Sequence, residues 1–241
     1  MKKSLKLVIV FISMTLLSSN ANLNLKNGVE GSGNIITEKR TINQNFDKIA
    51  ASSGVTVIVE QGSPTDVEVE TDDNLMQYVV TKVENGTLIV KIEGSINTMS
   101  SIDVRVRMSS IAGLESSSGS RISSKNTLKG NTIAVKSSSG SEIDTNLEYE
   151  NVSCESSSGS SITVSGKALK LETASSSGSE IDADELIAND VYAQATSGSS
   201  TTVKPIVKLD GKASSGSSIN YVQTPKTITK EETSGGSVDK E

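Results

Sequence analysis

The sequence predicts an all-β protein, a β-solenoid with coils of about 20 residues that follows an irregular β portion or cap. Two observations predict this fold class. A Ser-Gly motif returns at a nearly constant distance through the C-terminal half, and apolar residues return in register with it. Within each repeat, apolar and polar residues alternate, which is typical of strands with one buried face.

The longest identical copies of the Ser-Gly motif are SSSGSEID at residues 137–144 and at residues 175–182. Its glycines are Gly119, Gly140, Gly159, Gly178, Gly198, Gly216 and, in a degenerate copy, Gly235. Successive glycines lie 18 to 21 residues apart, and a period near 20 indicates a solenoid. Glycine permits the positive φ of a tight corner, and serine hydroxyls can satisfy backbone groups there. We therefore interpret the motif as a repeated corner.

Counting from each glycine sorts the other positions into inward and outward columns. Seven residues before it stand Ala112, Ile133, Val152, Leu171, Val191 and Leu209. Five before stand Leu114, Val135, Cys154, Thr173, Ala193 and Gly211. Three before stand Ser116, Ser137, Ser156, Ser175, Ala195 and Ala213. Three after stand Ile122, Ile143, Ile162, Ile181, Thr201, Ile219 and Val238. We expect these four columns to face the core, with mostly polar residues between them, such as Glu115, Lys136, Glu155, Gln194 and Lys212.

Charge placement favours in-register parallel stacking independently of the glycines. If coils stack at about 4.8 Å, Arg121 lies over Glu142, and Ser161 separates Glu142 from Glu180. Like charges at adjacent positions would be penalised, and the pattern avoids them. Helix is disfavoured by the abundance of Ser, Gly, Thr and β-branched residues. Intrinsic disorder would give apolar residues no reason to keep a register.

The N-terminal portion is also predicted to be β, as irregular early coils or a cap. Strands are expected at residues 55–61, 66–71, 87–93 and 101–108, with a hairpin turn at Asn85-Gly86. The stretch DDNLMQYVV could open with an Asx N-cap and hold one short helix. SSGV at residues 52–55 resembles the later corners. The predicted organisation is a signal peptide at 1–21, an N-terminal segment at 22–33, a β-rich portion at 34–110 and the repeat solenoid at 111–241.

The first 21 residues predict an extracytoplasmic location in the periplasm, in the cell envelope or outside the cell. A basic start, an apolar run of about 11 residues and the small residues SNA fit a cleaved secretory signal, and the run is shorter than a membrane span. Cleavage would remove Lys2, Lys3 and Lys6 and change the net charge from -6 to -9. So acidic a chain predicts no nucleic-acid partner. We expect no transmembrane span after signal cleavage.

No catalytic, cofactor-binding or metal site is predicted. The chain contains no His, so Ser-His-Asp chemistry and His-metal sites are excluded. Cys154 is interpreted as a buried, inert core thiol. The pairs Glu142/Asp144 and Glu180/Asp182 could suggest a calcium or glycosidase site. Their separation by about two rungs, about 9.6 Å, favours a solvated and charge-spaced strand face instead.

The chain resembles the secreted bacterial proteins described as putative autotransporter adhesin head (GIN) domains. The resemblance rests on GSGNIITEKRTINQNFDKIAASSGVTVIVEQG at residues 31–62, on VEVETDDNLMQYV, and on the SGS repeats with Ile. It covers nearly the whole mature chain. It implies an extracytoplasmic β-rich solenoid and brings no catalytic residues with it.

Three functional hypotheses follow. The first is a non-enzymatic secreted or cell-envelope protein that presents a rigid β-solenoid surface as an adhesin or binding scaffold. Its partner would be an unknown surface component, a glycan or a protein, and a homo-oligomer is compatible with this role. The alternative is a carbohydrate-active β-helix enzyme, a polysaccharide lyase or hydrolase, on fold analogy alone. The third, a surface that orders water or ice, is weakened because its outward column is mostly Ser rather than Thr.

Overall fold

The computed structural model describes residues 28–97 and 101–241. The predicted signal peptide and the first half of the predicted 22–33 segment, residues 22–27, lie outside these residues. The described strands are β1 Val29–Glu30, β2 Ile35–Lys39, β3 Lys48–Ser52, β4 Thr56–Gln61, β5 Asp66–Asp72, β6 Val79–Glu84, β7 Thr87–Ile92, β8 Ile96–Asn97, β9 Asp103–Met108, β10 Gly113–Ser116, β11 Arg121–Ser124, β12 Leu128–Ser137, β13 Glu142–Ser156, β14 Ser161–Ser175, β15 Glu180–Ala195, β16 Ser200–Ser214, β17 Ser218–Tyr221, β18 Thr227–Thr233 and β19 Ser237–Lys240.

The strands form a β-solenoid, which confirms the predicted fold class. Each coil runs through a strand, a Ser-Gly corner and a second strand, and successive coils pair in parallel. The pre-corner sheet contains β7, β3, β10, β12, the later halves of β13 to β16, and β18. The post-corner sheet contains β9, β4, β11, the early halves of β13 to β16, then β17 and β19.

The N-terminal portion is both an early coil and a cap. Strands β3 and β4, joined by a corner at Ser53-Gly54, stack between β7 and β9 on one side and β10 and β11 on the other. Antiparallel strands then extend each sheet: β6 pairs with β7, β5 with β9, and β2 with β5. Stacking order therefore differs from chain order in this portion. The boundary at residue 110 stays a prediction.

Two local N-terminal predictions have different outcomes. The hairpin turn joins β6 to β7, and Asn85 and Gly86 have φ of 50° and 76°, as a type I′ turn requires. The short helix is one 3-10 turn at Met76–Tyr78. Its Asx N-cap is wrong, because Leu75 occupies the cap position and no side chain bonds there. Asp73 instead accepts a hydrogen bond from the Asn34 amide at 2.9 Å and so holds the N-terminal segment.

The predicted inward columns form the core. All seven residues of the column three after the glycine are 0% exposed. In the column seven residues before the glycine, Ala112 is only half-buried. Ile111 is buried in its place, because β10 begins only at Gly113. The column five before the glycine shrinks steadily along the stack, from Leu114 to Gly211. At Gly211 an added Cβ would lie only 3.0 Å from Val238 Cγ1, so the last coils approach one another closely in the core.

Every corner has the same backbone geometry. The serine before each motif glycine and the glycine itself both have positive φ, for example 55° at Ser139 and 69° at Gly140. The glycine N–H donates to the carbonyl of the corner serine in the next coil, as from Gly140 to Ser158 at 3.1 Å. This ladder runs without a break from Gly54 to Ser234. The repeated SG dipeptide is therefore the turn itself, and the interpretation as a corner is confirmed.

From Gly119 to Gly216, the residue after each motif glycine is a serine that stabilises the corner from inside. Ser141 is 2% exposed, and its Oγ accepts a hydrogen bond from Ser138 N–H at 3.1 Å. The same Oγ donates to the carbonyl of Ser116 in the preceding coil at 2.7 Å. Equivalent bonds join Ser160 to Ser137 and Ser179 to Ser156. Each corner thus satisfies buried polar groups with its own side chains.

The last coil replaces core residues by charged ones. Lys230 is in register with Gly211, and Glu232 is in register with Ala213, so both stand in inward columns. The Lys230 ammonium donates to the carbonyl of Val238, and Glu232 Oε1 accepts from Val238 N–H at 2.8 Å. The ammonium also lies 5.4 Å from the centre of the Tyr221 ring. The apolar core therefore ends under a layer of charged side chains.

Within the described ranges, no helix has the length and apolar character that a membrane crossing needs.

Candidate functional site

From β10 to β18, one outward column of the pre-corner sheet contains long polar side chains at every rung but one. Strand pairing places the following residues next to one another: Glu115, Lys136, Glu155, Ala174, Gln194, Lys212 and Glu231. Ala174 is the short member, and it is exposed. Its neighbours in the column, Glu155 and Gln194, are separated by two strand spacings, about 9.6 Å. A gap therefore opens in the surface at Ala174.

This gap is part of a groove of about 520 Å³ that is open to solvent. We call it the Ala174 groove, and its outward side chains are Ser153, Glu155, Lys170, Glu172, Ala174, Tyr192 and Gln194. Strand β14 contributes three of them, and β13 and β15 contribute two each. The strands belong to the regular part of the stack, so their backbone is held by hydrogen bonds on both sides. The groove is therefore a preformed feature of a rigid surface.

Tyr192 supplies an aromatic ring at the wall of the groove. It is half-buried and stands in the outward column next to Ala174. Lys208 Nζ lies 4.6 Å and Lys170 Nζ 5.1 Å from the centre of its ring. Each such cation–π contact contributes about 0.5–1 kcal/mol at an exposed site. The two lysines lie in the rungs on either side of Tyr192 and hold its ring in place.

The charges at the groove are paired with one another. Lys136 Nζ is 2.7 Å from Glu155 Oε2, and Lys170 Nζ is 2.5 Å from Glu172 Oε1. Hydrogen bonding to Glu155 raises the pKa of Lys136, and hydrogen bonding to Glu172 raises the pKa of Lys170. Both lysines therefore stay charged at neutral pH. The groove combines hydrogen-bonding groups with little net charge.

The post-corner sheet carries a second feature, an ionic network around the half-buried side chain of Ile58. Glu60 bridges Lys125 at 2.9 Å and Arg107 at 3.3 Å, and Glu70 pairs with Arg105 at 3.1 Å. The pKa of Glu60 is lowered by its bonds to Lys125 and Arg107. The pKa of Glu70 is lowered by Arg105. These pairs join strands β5, β9, β4 and the segment after β11.

A third feature is a small apolar edge on strands β14 and β15. Leu169 is 55% exposed and Ile187 is 41% exposed, and both line one open cavity with Tyr149 and Gly130. Two exposed side chains of this size are normal for a soluble protein surface. This edge therefore indicates no particular function.

Cys154 lies where the sequence places it, in the core between Val135 and Thr173. It is 1% exposed, and burial raises the pKa of its thiol to about 12. The thiolate, which is the reactive form, is therefore scarce at neutral pH. This agrees with the prediction of an inert core thiol.

The acidic pairs also lie in the predicted register. Ser161 stands between Glu142 and Glu180, and Thr163 between Asp144 and Asp182. Arg121 forms an ion pair with Glu142, as expected. Burial raises the pKa of Asp182, with smaller contributions from its neighbours. In the described part of the chain, no three acidic or Cys side chains gather into a group that could hold a metal ion.

Sequence reasoning missed the Ala174 groove although it identified the column. The column was recognised from its long polar residues, and Ala174, which interrupts them, was passed over. A short residue in a column of long ones is the signal that could have indicated the gap. Tyr192 could have been found by the same route, since it is the aromatic residue in an outward column otherwise filled by Gly113, Ala134, Ser153, Glu172, Asp210 and Thr229.

The fold is similar to those of solved bacterial structures. A putative adhesin from Bacteroides fragilis NCTC 9343 matches with a TM-score of 0.82 at 19% identity, over 89% of this chain and 100% of that chain. A putative lipid binding protein from Parabacteroides distasonis ATCC 8503 matches with a TM-score of 0.73 at 20% identity, over 88% and 99%. A putative adhesin from Parabacteroides merdae ATCC 43184 matches with a TM-score of 0.71 at 19% identity, over 89% and 99%. At these identities the similarity shows the fold alone.

No curated protein matches the chain. The family model described as "Putative auto-transporter adhesin, head GIN domain" matches residues 45–225. The match spans the corner at Ser53-Gly54, the antiparallel strands β5 and β6, and the repeats as far as β17, which is most of the chain. The chain therefore belongs to the putative auto-transporter adhesin, head GIN domain, family.

Proposed function

We propose that this protein is a non-enzymatic binding scaffold outside the cytoplasm, an adhesin that holds a surface component, glycan or protein, on its rigid β-solenoid. The observation that carries the proposal is the Ala174 groove. It is an open, preformed recess with an aromatic wall and several hydrogen-bonding side chains, set on strands that pair on both sides. A ligand meets side chains whose backbone is already ordered, which lowers the entropic cost of binding.

The sequence and the family description both support this location. The basic and apolar start of residues 1–21 supports export, and the family description refers to an auto-transporter adhesin head. N-terminal sequencing of protein purified from cell fractions tests this directly. Recovery of the chain from the cytoplasm with Met1 retained would contradict the location, whereas a start near Asn22 would support it.

The alternative of a carbohydrate-active enzyme has no observation in its favour. Among the described residues, the two acidic pairs of the post-corner sheet are two rungs apart, with Ser161 and Thr163 between them, and Glu142 forms an ion pair with Arg121. The groove acids Glu155 and Glu172 each form an ion pair with a lysine.

The test measures binding and turnover together. The mature protein is immobilised and exposed to a glycan array and to fluorescently labelled bacterial and host cells, and bound glycans are recovered and analysed. We expect saturable binding that unlabelled protein displaces, with every glycan recovered intact. Release of new reducing ends or unsaturated sugars would overturn the non-enzymatic proposal, and absence of saturable binding to any surface would overturn the adhesin proposal.

A further inference from the structure

We infer that the Ala174 groove binds a neutral saccharide, with one sugar ring seated over Ala174 against Tyr192. This inference rests on the proposed function and names the ligand class for it. Three independent features of the groove point to this class: its shape, its mixture of apolar and hydrogen-bonding surface, and its charge balance.

The shape is a gap of one side chain in an otherwise continuous column. Glu155 and Gln194 stand on opposite sides of the Ala174 methyl group, in the rungs before and after it. Glu172 lies two residues earlier on the same strand, and Tyr192 stands diagonally across. The gap is therefore closed on three sides and open outward. A flat ring can enter it, whereas a long extended segment would run into the side chains of the column on either side.

The surface of the groove has the two characters that a sugar ring presents. A pyranose has an apolar C–H face and a rim of hydroxyl groups. Tyr192 and the methyl group of Ala174 provide apolar contact, and an aromatic ring favours packing of this kind. Glu155, Glu172 and Gln194 carry acceptors, and Gln194 also carries donors. These groups surround the position at which the ring would lie.

The charge balance favours a neutral ligand. Glu155 is paired with Lys136 and Glu172 with Lys170, so neither sign dominates. An anionic glycan would meet two carboxylates, and a cationic ligand would meet two ammonium groups. A neutral polyhydroxylated ligand can use both without leaving a charge unpaired. Neutral hydroxyls donate to the carboxylates and accept from the lysines.

Lys170 adjusts when the sugar binds. Its contacts with Glu172 and with the Tyr192 ring are both at the surface, where each is weak. The side chain can leave the ring and donate to a sugar hydroxyl, while Lys208 keeps the ring in place from the other rung. Movement of the Lys170 side chain therefore uncovers the Tyr192 ring, and the backbone of the groove keeps its position.

The experiment titrates the mature protein with neutral trisaccharides of glucose, mannose, galactose and N-acetylglucosamine, and with tri-galacturonate as the anionic probe. Isothermal titration calorimetry gives the affinity of every variant. The chain has four Tyr and no Trp, so a change in tyrosine emission that the parent chain shows and the Tyr192 variants lack assigns the sugar contact to the Tyr192 ring. We expect at least one neutral trisaccharide to bind and to change this emission. Tyr192→Ala should weaken its binding about tenfold or more, since the aromatic contact is lost. Tyr192→Phe, which keeps the ring, should remain within about threefold.

Filling the gap gives a second, independent variant. Ala174→Gln restores the long polar column at an exposed strand position, so folding should be preserved, and it should abolish detectable saccharide binding. The matched control is Ala134→Gln, the same change in the neighbouring outward column two rungs away, and it should bind like the parent chain. Circular dichroism and the unfolding midpoint of each variant check that the fold is intact.

The outcomes separate this inference from the function it rests on. If surface binding persists while Tyr192→Ala and Ala174→Gln leave it unchanged, the groove is not the site, and the adhesin proposal stands. Tighter binding of tri-galacturonate than of every neutral trisaccharide would overturn the ligand class. If the parent chain binds neither cells nor any glycan, both the adhesin function and the saccharide site are contradicted.

Discussion

The repeat coils and the N-terminal portion build the same two sheets by different means. In the repeats, every rung places equivalent residues in register, and a Ser-Gly corner with identical backbone angles joins the strands. In the N-terminal portion only β3, its corner and β4 follow this rule. The remaining strands add the antiparallel pairings β2–β5, β5–β9 and β6–β7, and ion pairs such as Arg105–Glu70 and Arg107–Glu60 hold them across the surface.

This contrast shows that the repeats and the two ends of the solenoid are stabilised by different kinds of residue and strand pairing. A column of isoleucines stabilises any number of coils, because each coil offers the next one the same surface. The end of the stack has no such partner and must be covered by strands of another direction or by charged side chains. The N-terminal end uses antiparallel strands, and the C-terminal end uses Lys230 and Glu232.

The largest expected effect is in the repeat core. Ile143→Asp places an unpaired carboxylate at a position that is 0% exposed, between Ile122 and Ile162. It should lower the free energy of unfolding by about 3–5 kcal/mol in urea denaturation. The neighbouring outward change Asp144→Ser should cost less than about 1 kcal/mol. Equal losses for the two variants would show that the inward and outward columns are wrongly assigned.

The corner serines should show an intermediate effect. Ser141→Ala removes a hydroxyl that bonds to Ser138 N–H and to Ser116 O, and these two groups then keep only the 3.0 Å hydrogen bond between themselves. The expected loss is about 1–3 kcal/mol in the free energy of unfolding. Ser139→Ala, in the same corner but exposed, is the control and should change stability by less than about 0.5 kcal/mol. If the two changes cost the same, the inner hydroxyl does not hold the coils together.

Charge columns should give a smaller and salt-dependent effect. Ser161→Glu creates three acids in successive rungs with Glu142 and Glu180, spaced by about 4.8 Å. Repulsion at that distance is about 1 kcal/mol in a water-like medium. The loss should shrink in high salt because exposed charges are screened. Ser218→Glu, whose rung neighbours are Ser200 and Ser237, should show no such salt dependence. Matching behaviour of the two variants would contradict the register.

The smallest expected effect distinguishes the two regions by their response to acid. The pKa values of Glu60 and Glu70 are lowered by their basic partners, so these carboxylates stabilise the N-terminal portion above the usual glutamate pKa of about 4.3. That contribution is lost as the pH falls through the lowered pKa values. The pKa of Asp182 is raised by burial, so its penalty is full at neutral pH and disappears as the pH falls through the raised value.

Hydrogen exchange from pH 6 to pH 3 measures this difference, after correction for the intrinsic rates. Protection of β5 and β9 should decline relative to that of β14 and β15. Glu70→Gln should remove part of the decline, and Asp182→Asn should raise protection of β15 at neutral pH. A larger decline of protection in β14 and β15 than in β5 and β9 would contradict the pKa directions given for these acids.

Much of the repeat region can be predicted from the sequence because its contacts join equivalent positions. Once the glycines are aligned, Ile143 must meet Ile122 and Ile162, and no further information is needed. The serine φ values could not be predicted in the same way, since serine seldom adopts positive φ and only the stacked corner imposes it. Burial of Ser141 follows from that turn and was missed with it.

The N-terminal arrangement could not be predicted because its pairing is not local. Strand β3 precedes β7 by about 40 residues and β10 by more than 60, yet it lies between them. Alternation of apolar residues identifies each strand, and it carries no information about which distant strand is the neighbour. The Ala174 groove was missed for a different reason, since it is an exception within a column and the alignment emphasises what the column shares.

The charged last coil has a consequence for solubility. Parallel strands in register, with like residues stacked at about 4.8 Å, also describe the spine of an amyloid fibril, which grows because each end is a template for the next strand. Here Lys230 and Glu232 occupy the carbonyl and N–H of Val238 that an incoming strand would need. They also set two charges where the next layer would have to bury apolar side chains. Both features oppose the pairing of a further strand with this edge of β19.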